Sequence, residues 1–376
     1  MVRKSHPWLR SLLRAGKKQQ RSVARALTGL LAVSKPKPKP KAKPRTRLAK
    51  PPRDGTPAAK RTVAARAAMR SEPVAPATGK WLASHYTGLS RRMSYWLYLP
   101  DRAPPDIAGG GLPLVVMLHG CDQTATLFAQ GTRMNQLAEA GGYAVLYPQQ
   151  AVSVHPHRCW KWYDRATQQG GGDVPLIVGI VNKVAQRYPI DRSRMYICGI
   201  SAGAGMAHIV ALNHPELFAG LGLHSGPIFG AGHSPVGALG VMRHGADGRV
   251  DSAIAEVLAR RPSFPPMPTI LIQGEDDPVV HPVNQAQLTR QAMLLNQLPP
   301  DSPVEVVLKV GNKRGHPYQL RDVYRGRKLM LRVARIAELK HAWSGGDDRL
   351  SFNSAAGPDA SKMMLNFFSR HRRLEQ

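Results

Sequence analysis

The chain has 376 residues, enough for one large domain or two of ordinary size. It contains 53 Lys and Arg against 24 Asp and Glu, a formal net charge of +29, and 22 of those basic residues lie within the first 80 positions beside only two acids. This distribution excludes a uniformly basic protein and indicates a basic tail on a mildly basic domain. No run approaches the roughly 18 apolar residues of a transmembrane helix.

The tail, residues 1–80, divides into two parts. Residues 8–33 place leucines and valines between arginines and lysines at helical spacing, which favours a basic amphipathic helix on a surface. Residues 34–80 open with alternating Lys and Pro and are predicted to form an extended, disordered linker, because proline breaks the helix ladder and like charges repel. The tail is either a plain spacer or an electrostatic attachment to an anionic surface, a granule or, without sequence specificity, DNA.

A secretory signal peptide is the rival interpretation of the tail. Its apolar stretch would be residues 26–33, only eight positions behind a long basic region, with a weak cleavage pattern at Ala32 and Ser34. We therefore expect no cleavage and a cytoplasmic, granule-associated protein, with secretion as the alternative.

From residue 81 onward, apolar runs alternate with helical patterns. The runs predicted to be strands are 114–118, 144–148, 194–198, 217–226 and 269–273. Asp173 is predicted to cap a helix with Pro175 in its first turn, and the Gly- and Pro-rich stretch 227–266 is expected to hold one helix, near 252–260. The order predicts a single α/β domain over 81–376, with a mostly parallel, doubly wound sheet.

The most informative motif is Gly-Ile-Ser-Ala-Gly at 199–203, which follows an apolar run and precedes a stretch of small residues. A G-x-S-x-G between strand and helix is typical of a nucleophile elbow, whose glycines permit a strained turn that exposes the serine. Ser201 is therefore the predicted nucleophile. A glycine-containing loop, 119–125, follows an earlier strand, and its backbone N–H groups, with that of Ala202, are expected to form an oxyanion hole.

The partners of the serine are sought further along the chain. Asp276 and Asp277 follow the run 269–273, and His341 opens a glycine-rich loop. The order Ser, Asp, His is that of the α/β-hydrolase fold. Either aspartate remains a candidate, since they are adjacent, and His281 and His316 compete with His341 because they also lie in polar, loop-like surroundings.

Five segments together resemble the polyhydroxybutyrate depolymerase family of esterases, which is related to feruloyl and acetylxylan esterases. These segments are 119–125, 159–162, 199–203, 341–346 and 357–361, and the resemblance spans roughly residues 80 to 370. The resemblance implies that Ser201 is the nucleophile and that His341 is the general base. It also implies that Asp277 orients the histidine and that the N–H groups of Cys121 and Ala202 are the oxyanion donors. A bridge between Cys121 and Cys159 is possible at these family positions. Neither a cofactor nor a metal is implied.

The substrate is the least determined part of the prediction. Trp160, Trp162 and Trp343 lie near the predicted site loops, where they either bind an acyl chain or flat ring or fill the core beneath the loops. The leading hypothesis is a serine esterase for poly(3-hydroxybutyrate) or its oligomers, without a recognisable polymer-binding domain after the catalytic part. The alternatives are an esterase for small or sugar-linked feruloyl or acetyl esters, and a granule- or nucleoid-binding protein that retains a hydrolase scaffold.

Overall fold

A computed structural model describes residues 77–89, 91–101, 110–309 and 315–373. The predicted amphipathic helix at 8–33 and nearly all of the linker at 34–80 lie outside these residues, so both stay predictions. No helix in the described ranges is both long and apolar enough to cross a bilayer.

A ten-stranded sheet forms the centre of the described chain. Its strands are β1 (Lys80–Thr87), β2 (Arg92–Leu99), β3 (Leu112–Leu118), β4 (Ala144–Gln149), β5 (Ile190–Ile200), β6 (Gly220–His224), β7 (Thr269–Gly274), β8 (Val304–Lys309), β9 (Tyr318–Arg325) and β10 (Lys328–Ile336). The order across the sheet is β1-β2-β4-β3-β5-β6-β7-β10-β9-β8. The six central strands run parallel to one another; in sheet order they are β4, β3, β5, β6, β7 and β10. Two strands on each side, β1 with β2 and β8 with β9, pair antiparallel. All five runs predicted to be strands are confirmed.

Helices cover both faces of this sheet. They are α1 (Ala125–Thr132), α2 (Met134–Gly141), α3 (Arg165–Gln168), α4 (Val174–Arg187), α5 (Ala202–Asn213), α6 (Pro235–His244), α7 (Val250–Arg260), α8 (Val283–Leu295) and α9 (Ala360–Phe368). A short pair, β11 (Trp343–Ser344) and β12 (Asn353–Ser354), lies beyond the main sheet. Two separate clusters of buried apolar side chains complete the layers, as a doubly wound α/β domain requires.

One local prediction is confirmed in position only, and another is wrong. Asp173 stands at the N-cap position of α4 but makes no capping hydrogen bond, because its carboxylate instead binds Arg91 at 2.5 Å and the Gln150 amide at 2.6 Å. The stretch 227–266 holds two helices, α6 and α7, rather than one. Its first helix is capped by the Ser234 hydroxyl, which accepts from Gly237 N at 3.0 Å, and begins with Pro235.

The strand directions decide where functional groups can meet. Because β3, β5, β6, β7 and β10 are parallel, the loops that follow them leave the same edge of the sheet. Ser201, Asp277 and His341 lie in such loops, as does the segment 119–124.

Candidate active site

Ser201 occupies a strained turn between β5 and α5. Its φ of +57° and ψ of −124° lie in a region that side-chain-bearing residues rarely adopt. The turn is held by a hydrogen bond from Ser201 N to the His224 carbonyl at 3.0 Å, and the residue is about nine-tenths buried. A sharp turn of this kind presents the hydroxyl at the end of the strand.

Close backbone packing explains the glycines of the motif. A Cβ on Gly199 would lie 2.6 Å from the Leu118 carbonyl oxygen, and one on Gly203 would lie 2.6 Å from the Leu118 carbonyl carbon. Strand β3 and the turn therefore approach too closely for any larger residue. The approach also brings Gly120, which follows β3, beside the serine, since a Cβ there would lie 3.5 Å from Ser201 Cβ.

Asp277 is held by four hydrogen bonds in the loop after β7. Its Oδ1 accepts from the backbone N–H groups of Val279 and Val280, both at 2.9 Å, and its Oδ2 accepts from the Gln273 amide at 3.0 Å and from His341 Nδ1 at 2.8 Å. Burial, the largest influence, opposes its ionisation, but the bonds from His341 and the two backbone groups outweigh it and hold the pKa of Asp277 below its usual value. The carboxylate is therefore ionised at neutral pH.

The geometry separates the candidates that the sequence left open. Asp276 is exposed, and its backbone N–H binds the Leu339 carbonyl at 3.2 Å, whereas Asp277 contacts His341 directly. His281 accepts from Val283 N within its own loop, and His316, which precedes β9, lies 3.5 Å from Glu338 in the loop after β10. Among the described residues, neither histidine is bonded to Asp277.

His341 donates from Nδ1 to Asp277, which leaves Nε2 as the proton acceptor of the neutral ring. Within the described ranges, no hydrogen bond joins the Ser201 hydroxyl to His341. Catalytic hydrogen bonds are often long until substrate binds. The serine turn and the Asp–His pair share one edge of the sheet, with β6 between β5 and β7.

Two backbone N–H groups at this edge of the sheet, those of Ala202 and Cys121, have no hydrogen-bond acceptor among the described residues. Ala202 is the first residue of α5, where an N–H has no intrahelical acceptor. In the loop after β3, Gly120 N binds the Gln123 side chain at 2.8 Å and Asp122 N binds the His157 carbonyl at 2.6 Å. The Cys121 N–H between them has no acceptor among the described residues.

A disulfide anchors the loop that contains Cys121. Cys121 is joined to Cys159, 38 residues along the chain, with the Cα atoms 4.4 Å apart. The bridge that the family resemblance made possible is thus present. Cys198, the remaining cysteine, is buried, which raises the pKa of its thiol and confirms its interpretation as a small apolar residue of the core.

The three tryptophans considered for substrate binding lie in the interior. Trp160, Trp162 and Trp343 are 0, 4 and 1% exposed. The Trp160 indole donates to the His119 carbonyl at 2.9 Å, and that of Trp343 donates to the Ser361 hydroxyl at 3.1 Å. Their burial fits the alternative of core filling beneath the loops, and substrate contact stays a prediction.

Three buried polar residues around the site were not singled out from the sequence. Gln273 bonds Asp277, and His224 bonds both Ser201 and the loop after His341. His119 begins the loop after β3, and its Nδ1 lies 2.7 Å from the Gly120 carbonyl oxygen. Each of the three lies at the carboxyl end of a buried apolar strand or directly after it. A polar residue at such a position was the sequence signal that could have identified them.

These features define the class of protein. The parallel sheet, the strained serine turn and the Asp–His pair at its carboxyl edge are those of an α/β-hydrolase. An acetyl xylan esterase from Aspergillus awamori has the same fold, with a TM-score of 0.61 at 17% identity over 77% of this chain and 99% of that one.

The chain belongs to the esterase PHB depolymerase family, whose sequence profile matches residues 93–302, more than half of its length. It is 32% identical over 183 residues to poly(3-hydroxyalkanoate) depolymerase C of Paucimonas lemoignei. This alignment covers 48% of this chain and 44% of that protein. It is 34% identical over 133 residues to feruloyl esterase B of Neurospora crassa, covering 35% of this chain and 43% of that protein. The chain thus matches less than half the length of these curated relatives.

Proposed function

We propose that the protein is a serine-dependent carboxylic ester hydrolase that cleaves poly(3-hydroxybutyrate) or its oligomers. The observation that carries the proposal is the 2.8 Å bond between His341 and the ionised Asp277, at the same sheet edge as the strained Ser201 turn. Its substrate class rests on the family and on the depolymerase relatives.

The chemistry follows from the roles of these groups. His341 Nε2 takes the Ser201 hydroxyl proton while Oγ attacks the ester carbonyl carbon, and the Cys121 and Ala202 N–H groups stabilise the oxyanion. Asp277 stabilises the imidazolium and fixes its tautomer. The imidazolium then protonates the leaving alkoxide as the ester C–O bond breaks, which gives an acyl-serine and a free alcohol. Water repeats the sequence, releasing the acid and restoring Ser201.

The direct experiment is clearing of amorphous poly(3-hydroxybutyrate) granules by the purified protein. Ser201→Ala is expected to lower turnover at least about a thousandfold, which is typical of losing a nucleophile. Ser263→Ala is the matched control, because Ser263 is exposed and precedes β7, at the opposite edge of the sheet. Near-wild-type clearing by Ser201→Ala would contradict the proposal and favour a binding protein that retains a hydrolase scaffold.

A second substrate class is favoured by the likeness to feruloyl esterase B and to acetylxylan esterases. Hydrolysis of soluble feruloyl or acetyl esters through Ser201, with no granule clearing, would assign the protein to that class. A variant that lacks residues 1–76, which leaves β1 intact, tests the tail: weaker clearing with unchanged soluble-ester turnover would support attachment to the granule surface.

A further inference from the structure

His224, the last residue of β6, is completely buried where three site segments meet. Its carbonyl accepts from Ser201 N at 3.0 Å. Its Nε2 accepts from Ser344 N at 3.2 Å, three residues after His341. Its ring stacks on Trp343, with centroids 5.1 Å apart and planes 23° from parallel. One residue therefore contacts both the serine turn and the loop that follows the histidine base.

The hydrogen bonds define the proton arrangement of this ring. Since Nε2 accepts from a backbone N–H, the proton lies on Nδ1, which donates to the Ser225 hydroxyl at 3.1 Å. Burial, with a smaller effect from His341, lowers the pKa of His224 to about 3. The ring is therefore a neutral acceptor at pH values well above 3.

The residue that follows extends the linkage to the third segment. Ser225 has a φ of +47°, a left-handed conformation that is costly for a residue with a side chain. Its backbone N–H donates to the Ile272 carbonyl of β7 at 2.9 Å, five positions before Asp277. The pair His224–Ser225 thus connects the turns of all three proposed catalytic residues.

Other buried histidines show that packing alone does not require such bonds. His371 is also buried, and both its ring nitrogens lack a hydrogen-bond partner among the described residues. The same holds for Nδ1 of His208, on α5. Both ring nitrogens of His224 are used, and both are directed at residues next to the site.

We propose that His224 is a positioning residue, which sets the His341 loop against the Ser201 turn by accepting the Ser344 N–H while its own carbonyl holds Ser201 N. This inference rests on the proposed function. Ser344 is fully buried, so loss of the acceptor leaves its N–H unpaired and the loop shifts to regain a partner. A shift of about 1 Å in catalytic geometry costs on the order of a hundredfold in rate.

Two amide variants test whether the acceptor must lie at the position of Nε2 or whether any polar side chain at position 224 suffices. The His224→Gln side chain reaches the place of Nε2 and can accept from Ser344 N, whereas the shorter His224→Asn side chain reaches only the place of Nδ1. On a soluble p-nitrophenyl ester, we expect His224→Asn to lower kcat about a hundredfold with KM within about twofold. His224→Gln is expected to stay within about tenfold of the wild type. His371→Asn, the same change at a buried histidine, is the control and is expected to leave kcat unchanged.

The outcomes separate this inference from the proposed function. Equal kcat in both His224 variants and the wild type, with Ser201→Ala inactive, would refute only the positioning role. Equal losses in both, matched by equal losses of Tm, would also overturn it, because they indicate a purely structural residue. If His224→Asn does not fold, a folded His224→Gln decides the question: kcat reduced a hundredfold overturns the role, and kcat within tenfold supports it. Wild-type turnover by Ser201→Ala would refute both proposals.

Discussion

Gly203, the second residue of α5, offers a quantitative test of the close packing beneath the nucleophile. In Gly203→Ala, the new Cβ would lie 2.6 Å from the Leu118 carbonyl carbon and nearer still to its oxygen, where ordinary contact begins at 3.4 Å. Both obstacles are backbone atoms, which cannot rotate away as a side chain would. The helix or strand β3 must therefore move by about an ångström.

The expected cost follows from two opposing contributions. Alanine gains about 1 kcal/mol over glycine in a helix, but overpacking against a rigid backbone costs about 1–3 kcal/mol and occasionally more. We expect a net destabilisation of up to about 2 kcal/mol, or up to roughly 3 °C in Tm for a domain of this size. Because β3 leads into Gly120 and Cys121, the same shift displaces a proposed oxyanion donor and lowers kcat about a hundredfold.

Gly240 provides a matched control in another helix. A Cβ there meets no atom within 4 Å, so Gly240→Ala adds helix propensity without a clash. We expect it to raise stability by about 0.5–1 kcal/mol and to leave kcat unchanged. Thermal melts by circular dichroism and turnover of a soluble ester measure both effects. Equal Tm and equal turnover in Gly203→Ala and Gly240→Ala would show that β3 and α5 do not pack as closely as described.

Two further predictions concern charge at buried sites. Asp277→Asn is expected to lower kcat by about 10³–10⁴-fold, because His341 loses the bond that fixes its tautomer and the negative charge that stabilises its protonated form. Asp276→Asn, a change at the exposed neighbour, is expected to stay within about threefold of the wild type. Comparable losses in both variants would contradict the assignment of Asp277. Burial lowers the pKa of His119, His208 and His224 to about 4, 4 and 3, so below the ordinary value of 6.5 the unfolded chain binds more protons. Stability is therefore fully present above about pH 6.5 and falls on acidification by up to about 1.4 kcal/mol per pH unit for each histidine until the folded pKa is reached. His208→Leu should reduce the slope of unfolding free energy against pH between about 4.5 and 6, and an unchanged slope would refute this account.

Much of the site could be predicted because its signals are local. The sequence at 199–203 requires a strand before it, a helix after it and glycines where chains approach closely, and each of these is found. Five of the six parallel strands were likewise predicted, since strands buried on both faces are continuous apolar runs, but β10 was not. The hairpin of β9 and β10 shows the limit. Asp322 and Arg332 lie within it and neutralise each other across the strands at 2.5 Å, a pairing that no local pattern shows.

The choice between neighbouring or similar residues depended on three-dimensional contacts. Asp276 and Asp277 differ by one position, and the turn after β7 directs only the second toward His341. Asp173 is of a residue type that often caps helices. Its carboxylate instead accepts a stronger, charge-assisted bond from Arg91, which is far away in the sequence. The tryptophans beside the site loops are buried, and the indoles of Trp160 and Trp343 donate to residues far along the chain, His119 and Ser361, which no local pattern indicates.

The sequence by itself determined the chain order of the serine, aspartate and histidine, the nucleophile turn and the class of fold. These follow from short-range spacing and from the hydrophobic pattern. Only the tertiary structure decided which aspartate contacts His341, that Cys121 and Cys159 are joined, and that His224 lies between the serine turn and the histidine loop. Each of these is a contact between segments far apart in the chain, and such contacts are set by how the strands align, which residue type alone does not specify.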